Sequence, residues 1–309
     1  MTARTLARGR WTAGNHARLL DFLRRYEGDA RDEAPVAVFD FDNTVVRGDT
    51  GSEFYLDTVE RLALRDEEPA LRRVIDVLGD GDRILDLQRR AREGRGPLED
   101  FRAAMIGLYL RVYRAKGFQV AYPWVTRVLA GTPEREVRAR ARALAERDRA
   151  TPFELFRLPA EGGGDSVYCR GGKPFEEAAD LLAVLADRGF EVHVVTGTCG
   201  IVVEEYVQAF GLPVARVHGM ELEVEGGVLT DRVVAPITVG GGKRDRVRAR
   251  IGRRPLLAAG DGPTDLAMMR DARDLAIYVG EPDTEAGRVA VGKGWIVQPS
   301  FDGPTEKPL

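Results

Sequence analysis

The chain has 309 residues, 44% hydrophobic and 31% charged, enough for one large core with a smaller appended unit. Its 46 basic and 49 acidic residues are interleaved and leave a net charge of -3, which argues against nucleic acid or a polybasic membrane patch and for a small-molecule partner. No run approaches the ~20 apolar residues of a membrane span, MTARTLARGRW lacks the apolar stretch of a signal peptide, and Cys169 and Cys199 cannot build a disulfide framework or a zinc site, so a cytoplasmic location is expected.

In chain order, residues 15–27 predict a helix with Leu19, Leu20, Phe22 and Leu23 on one side behind an Asn15 cap. A polar linker, GDARDEAP, then ends at Pro35. The unbroken apolar run Val36 to Phe39 predicts a buried parallel strand that delivers Asp40 and Asp42 at its carboxyl end, where open α/β sheets bind ligands. Residues two apart on an extended chain point the same way, so both carboxylates can face one cleft. Two acids held together call for a cation; a solvated strand end before an Asn43-Thr44 turn is the alternative from this stretch alone.

Residues 52–150 have helical periodicity and almost no strand-like alternation, which predicts a helical insertion. Its last helix starts at Thr132-Pro133, and the arginines along it read as a solvated face rather than a substrate clamp. The main domain resumes near residue 167. A helix from Pro174 to Gly189 leads into a second buried strand, FEVHVVTGT, which implies a right-handed parallel crossover. Beyond a further helix, ELEVEGGVLTDRVV alternates around Gly226-Gly227 as a hairpin. Three more strands are expected in PLLAAGD, LAIYVG and WIVQP, followed by a loosely ordered tail, SFDGPTEKPL.

Four features fall at strand ends or helix starts in this order: the acid pair, Thr196-Gly197, Lys243, and GDGPTD at 260–265. Carboxylates without His or Cys select a hard cation, and Mg²⁺ suits a site that also receives phosphate, so Asp40, Asp42, Asp261 and Asp265 are the metal candidates. Thr196 and the Gly197 amide can bond phosphate oxygens, and Lys243 adds a point charge. His193 is expected to be buried and hydrogen-bonded, while His16 and His218 have no partners by spacing. Cys199 lacks a nearby His and is not expected to act as a nucleophile. Phe54, Tyr55, Tyr109, Tyr113, Tyr122 and Trp124 fit core packing better than an aromatic cage.

DFDNT, VVTGT, the lysine of GGGKRD and GDGPTD resemble the four motifs of the haloacid dehalogenase-like phosphohydrolase superfamily. The resemblance implies that Asp40 is the nucleophile of an aspartyl-phosphate, and that Asp42 protonates the leaving oxygen and later activates water. Dehalogenases of that superfamily lack the second Asp and its transport ATPases carry Lys there, so Asp42 favours a phosphatase. The insertion after the first motif, GDGPTDLAMM, the 221–235 hairpin before Lys243, Trp11 and Asn15, YPWVTRVLAG and WIVQP look like the branch containing phosphoserine phosphatase and phosphorylcholine phosphatase. Thr264 departs from it, standing where Asn is usual, and Asp49 falls where the phosphoserine enzymes place an acid near the substrate amine.

The expectation is therefore a doubly wound parallel α/β core from residues 1–49 and 169–309, with an all-helical cap at 50–168, hinged near Gly48–Gly51 and Glu161–Gly164, and a β-hairpin flap. The expected activity is Mg²⁺-dependent hydrolysis of a phosphoserine- or phosphorylcholine-like ester. Phosphoryl transfer to an acceptor alcohol, or hydrolysis of histidinol phosphate or another biosynthetic intermediate, are the alternatives. A non-catalytic relative would have lost one of Asp40, Asp42, Lys243, Asp261 or Asp265, and all are present. Oligomeric state is not encoded in any of these features.

Overall fold

The computed structural model describes residues 4–27 and 33–302, so most of the expected linker and the tail beyond Asp302 lie outside the described residues. Six parallel strands form one sheet in the order β10-β9-β8-β1-β4-β5, with β1 at Val36–Phe39, β4 at Glu191–Cys199, β5 at Arg216–Met220, β8 at Leu257–Gly260, β9 at Leu275–Val279 and β10 at Ile296–Gln298. Strand order leaves β1 in one direction toward β5 and then returns to its other side at β8, so the reversal that opens a ligand crevice lies at the carboxyl end of β1.

The two-residue period of a strand decides what each side covers. Ala37 and Phe39 belong to the apolar cluster with α1 (Ala13–Arg24), α8 (Glu176–Asp187) and α9 (Gly200–Phe210), whereas Val36 and Val38 belong to the one with α10 (Gly241–Ile251), α11 (Leu266–Asp271) and α12 (Glu285–Gly292). The sheet is thus packed on both faces, which is why β1, β8 and β9 are apolar throughout and buried at every position. Helix α1 is capped by Thr12 rather than Asn15; the Asn15 amide instead donates to Val297 O (2.8 Å) and Gln298 Oε1 (3.1 Å), tying the helix to β10. Ahead of α1, Trp11 meets Phe301 edge-on with ring centroids 4.9 Å apart. Phe301 is buried, so the start of the tail is packed rather than loose.

The insertion comprises α2 (Thr50–Glu60), α3 (Pro69–Ile75), α4 (Gly81–Arg92), α5 (Leu98–Lys116), α6 (Phe118–Arg127) and α7 (Glu134–Ala150). Residues from α2 to α6 build their own apolar cluster around Leu71, Ile75, Phe101 and Trp124, whose indole N–H donates to Val74 O at 2.8 Å. Two features depart from the expected all-helical unit. A hairpin of β2 (Glu154–Pro159) and β3 (Asp165–Arg170) follows α7, and Glu161–Gly164 is its turn, held on α5 by Glu161 N donating to Ala103 O at 2.9 Å. The chain re-enters the core instead through 171–174, where Arg47 N donates to Lys173 O (2.8 Å) and Phe175 N to Val45 O (2.9 Å).

The second departure is α7 itself. Its Val137, Ala141, Leu144 and Ala145 share the apolar cluster of the sheet with Val202, Val203 and Tyr206 of α9. Its arginines do not simply face water. Arg138 pairs with Glu204 (2.8 Å), Arg142 with Glu205 (2.9 Å) and Arg140 with Asp57 (3.1 Å), so they bind α7 to α9 and α2. The expected flap is present as β6 (Leu222–Glu225) and β7 (Val228–Val233), an antiparallel pair turning at Gly226-Gly227. No helix among the described residues is long and apolar enough to cross a membrane.

Candidate active site

Asp40, Thr196 and Asp261 are placed where strands end, because there the backbone leaves the ladder and side chains turn into the crevice, while Asp49 and Lys243 come from helix starts. Asp40 follows β1 directly, with its amide donating to Ala259 O of β8 at 2.9 Å. On the neighbouring segment Gly260 is required by contact: a Cβ there would lie 2.4 Å from that of Asp265. The chain doubles back through Pro263–Asp265, and Asp265 Oδ2 accepts from the amides of Asp261 (3.2 Å) and Gly262 (3.0 Å). Lys243, in the first turn of α10, closes the arrangement by donating to Asp40 Oδ1 at 2.6 Å and Asp265 Oδ1 at 2.5 Å.

Charge in this crevice is nearly excluded from water. Lys243 is 2% exposed and Asp40 7%. Burial would lower the Lys243 pKa, but Asp265 and Asp40 hold the ammonium well above its ordinary range. Burial and the neighbouring Asp265 push the Asp40 carboxyl well up, against the pull of Lys243. Asp40, Asp261 and Asp265 each offer a carboxylate oxygen, all within 4.8 Å of one another. An all-oxygen set of this kind fits a hard divalent cation such as Mg²⁺.

Asp42 does not join that cluster, which narrows the four-acid metal set expected from the sequence. Its Oδ1 accepts from the amide (2.8 Å) and hydroxyl (2.7 Å) of Thr50, and its Oδ2 from the hydroxyl of Thr198 (2.8 Å). Burial raises its pKa while these three donors resist the shift. Thr50 and Thr198 were not singled out by sequence reasoning. Thr198 carried a signal, since it stands two residues past Thr196 at the same strand end; Thr50 did not, because its role depends on the first turn of α2 approaching β1.

Thr196 is 1% exposed and its hydroxyl accepts from the Thr198 amide at 3.0 Å. Gly197 lies against the Tyr122 ring, which a Cβ would approach at 3.4 Å. Asp49 caps α2, accepting from the Ser52 amide at 2.7 Å, and its carboxyl also borders the crevice. Burial, with the nearby Asp42 charge, pushes its pKa up to about 7. Asp40, Asp42, Asp49, Thr196, Gly197, Lys243 and Asp261 all line one cavity of about 460 Å³ beneath the insertion. Asp265 lies behind them, fully buried.

The upper wall is aromatic: Phe54, Tyr55, Tyr109, Tyr113, Phe118 and Tyr122 border the same cavity. The expected core role holds for Tyr55, Tyr109 and Trp124, which belong to the insertion's apolar cluster, although the first two also face the cavity. His193 is buried as expected, but His218 is not partnerless: its Nε2 lies 3.2 Å from His193 Nδ1. Burial drives Cys199 up to about 11, which disfavours its thiolate.

The family model for haloacid dehalogenase-like hydrolases matches residues 37–270, a span that runs from β1 through Asp265 into α11. The chain belongs to this family. Among solved structures of the same fold, a functionally unknown protein from Anaerococcus prevotii DSM 20548 is similar over 98% of this chain and 97% of its own, at 18% identity and a TM-score of 0.73. A protein of unknown function from Bordetella pertussis Tohama I is similar over 86% and 98%, at 19% identity and a TM-score of 0.54. An apo phosphoserine phosphatase covers 82% of this chain and 91% of its own, at 18% identity with a TM-score of 0.43. No curated protein matches the chain.

Proposed function

We propose that this member of the family hydrolyses small phosphate monoesters through an acyl phosphate on Asp40. The observation that carries the reading is the buried Lys243 ammonium bridging Asp40 and Asp265 in the cavity that Thr196 and Gly197 also line. A phosphoryl group needs positive charge and donors around its oxygens, and a nucleophile in line with the leaving oxygen.

In this mechanism an Asp40 carboxylate oxygen attacks phosphorus, the bond to the ester oxygen breaks, and Asp42 gives its proton to that oxygen to release an alcohol. Asp42 then takes a proton from water as the water attacks the acyl phosphate, releasing inorganic phosphate and restoring Asp40. The raised Asp42 pKa suits an acid that holds a proton, and the Thr50 and Thr198 contacts fix its carboxyl in place. Asp40, Asp261 and Asp265 would hold Mg²⁺, which supplies further charge neutralisation at the phosphoryl oxygens.

The cavity walls support a leaving group that is cationic and lacks a carboxylate. Among the described residues Lys243 is the only Lys or Arg on the wall, and it is already engaged with two carboxylates, so no cationic side chain there is left to pair with an anionic leaving group. Asp49 and the tyrosine faces suit an ammonium instead. Burial and the nearby Asp49 carboxylate both raise the Tyr122 phenol pKa, which places that charge beside the aromatic wall. Phosphocholine- and phosphoethanolamine-like esters therefore fit better than phosphoserine. We further propose that α3 to α6 act as the lid over this cavity, with α7 as part of the base. The deciding experiment is phosphate release from a panel of phosphocholine, phosphoethanolamine, phosphoserine, histidinol phosphate and sugar phosphates, with and without Mg²⁺. Release should need the metal and vanish in Asp40→Asn; release that survives in Asp40→Asn would reject the covalent mechanism.

A further inference from the structure

Among the described residues, nine buried side-chain N or O atoms have no hydrogen-bond partner, and only one of these, Thr238 Oγ1, belongs to a residue on the wall of the large cavity. A buried hydroxyl left unpaired costs on the order of 1–3 kcal/mol, so an orphan on a binding-site wall calls for a ligand acceptor. Thr238 is fully buried and its carbonyl oxygen would lie 3.8 Å from a Cβ at Gly197, which puts it next to the segment that carries Thr196.

The turn that holds Thr238 also presents Lys243. Gly242 N donates to Val239 O at 3.1 Å and Lys243 N to Gly240 O at 3.2 Å. A Cβ at Gly242 would fall 1.8 Å from Ile237 O, so only glycine lets the chain fold back this tightly. Gly240 adds a positive φ of 58°. Thr238 and Lys243 therefore stand at the two ends of one compact turn that leads into α10. The amino-terminal end of a helix carries partial positive charge, which favours an anion.

We infer that Thr238 is a further substrate-binding residue, whose hydroxyl donates to a phosphoryl oxygen of the bound ester. The inference rests on the phosphoesterase reading above but concerns a residue outside the four family motifs. It distinguishes Thr238 from a packing threonine, which would gain nothing from its hydroxyl.

Thr238→Val keeps the shape and removes only the donor; Thr238→Ser keeps the donor. Inorganic phosphate binding, measured by calorimetry in the presence of Mg²⁺, should weaken on the order of tenfold or more in Thr238→Val and stay near wild type in Thr238→Ser, as for a hydrogen bond to a charged acceptor. The melting temperature of unliganded Thr238→Val should be unchanged or higher, because the protein itself offers the hydroxyl no partner. Phosphate affinity within twofold of wild type in Thr238→Val overturns the inference, as does a lowered melting temperature with unchanged affinity. Failure of the wild-type protein to bind phosphate would overturn the phosphoesterase reading and this inference together.

Discussion

At the residue scale, the proposed reaction gives Asp42 the chemistry and Asp49 the recognition. Asp42 is held by three donors and is not part of the group formed by Asp40, Asp261 and Asp265, an arrangement suited to proton transfer. Asp42→Asn should slow an alkyl phosphate by about 10² to 10⁴-fold. The same variant should lose far less on p-nitrophenyl phosphate, whose leaving group needs little proton assistance; equal losses on both esters would exclude Asp42 as the acid. Asp49 caps α2 and borders the aromatic wall, so its substitution separates two roles. Asp49→Asn retains an acceptor for the Ser52 amide but loses the charge. It should weaken kcat/KM for amine-bearing esters by roughly 1 to 3 kcal/mol and leave neutral esters unchanged. A loss shared by neutral esters would leave Asp49 a helix cap.

At the element scale, β4 and β5 are joined by more than their ladder. His193 and His218 stack with ring centroids 5.3 Å apart and face Glu191, Arg216, Arg246, Arg250 and Arg253. Burial, together with His193 and the surrounding arginines, holds His218 down to about 4 from an ordinary 6.5. The unfolded chain therefore binds the proton more readily than the folded one between these values. Stability contributed by neutral His218 is complete above about pH 6.5 and is lost as pH falls toward 4. Denaturation midpoints should drop over that window, and His218→Gln should flatten the decline; an unchanged profile in the variant would assign the acid sensitivity elsewhere.

At the scale of the whole molecule, the proposed division of the insertion into lid and base has a counterpart in its hydrogen bonds to the flap. The α6–α7 connection is hydrogen-bonded to the flap: Gly131 N donates to Leu229 O (2.8 Å), Leu229 N to Thr132 O (3.0 Å) and Glu134 N to Gly227 O (3.0 Å). Arg127 adds a bond to Asp231 O at 2.9 Å. The flap is thus joined by backbone to the 131–134 segment, and if the proposed lid opens, those bonds couple it to the flap. Hydrogen exchange should show α7 protected with α9, and the flap exchanging together with the 131–134 segment. A flap that exchanges independently of that segment would argue against a common lid. Truncating the anchor, Leu144→Ala, should cost roughly 2–5 kcal/mol of global stability, since Leu144 is buried in the sheet's cluster.

The sequence by itself determined the alternation of strands and helices, the position of the insertion and flap, and the acids, hydroxyl and lysine at the strand ends. These are local properties: an apolar run of four, a two-residue pleat and a glycine turn are legible wherever they occur. Tertiary structure alone decided which acids share oxygens with Lys243, that Asp42 belongs to Thr50 and Thr198 instead, and that His218 meets His193. It also decided that Glu161–Gly164 is a hairpin turn rather than a hinge, and that α7 packs with the core. Those outcomes depend on which segments meet, from 8 residues apart for Asp42 and Thr50 to 203 for Asp40 and Lys243. Spacing along the chain records which groups are available, and packing chooses their partners.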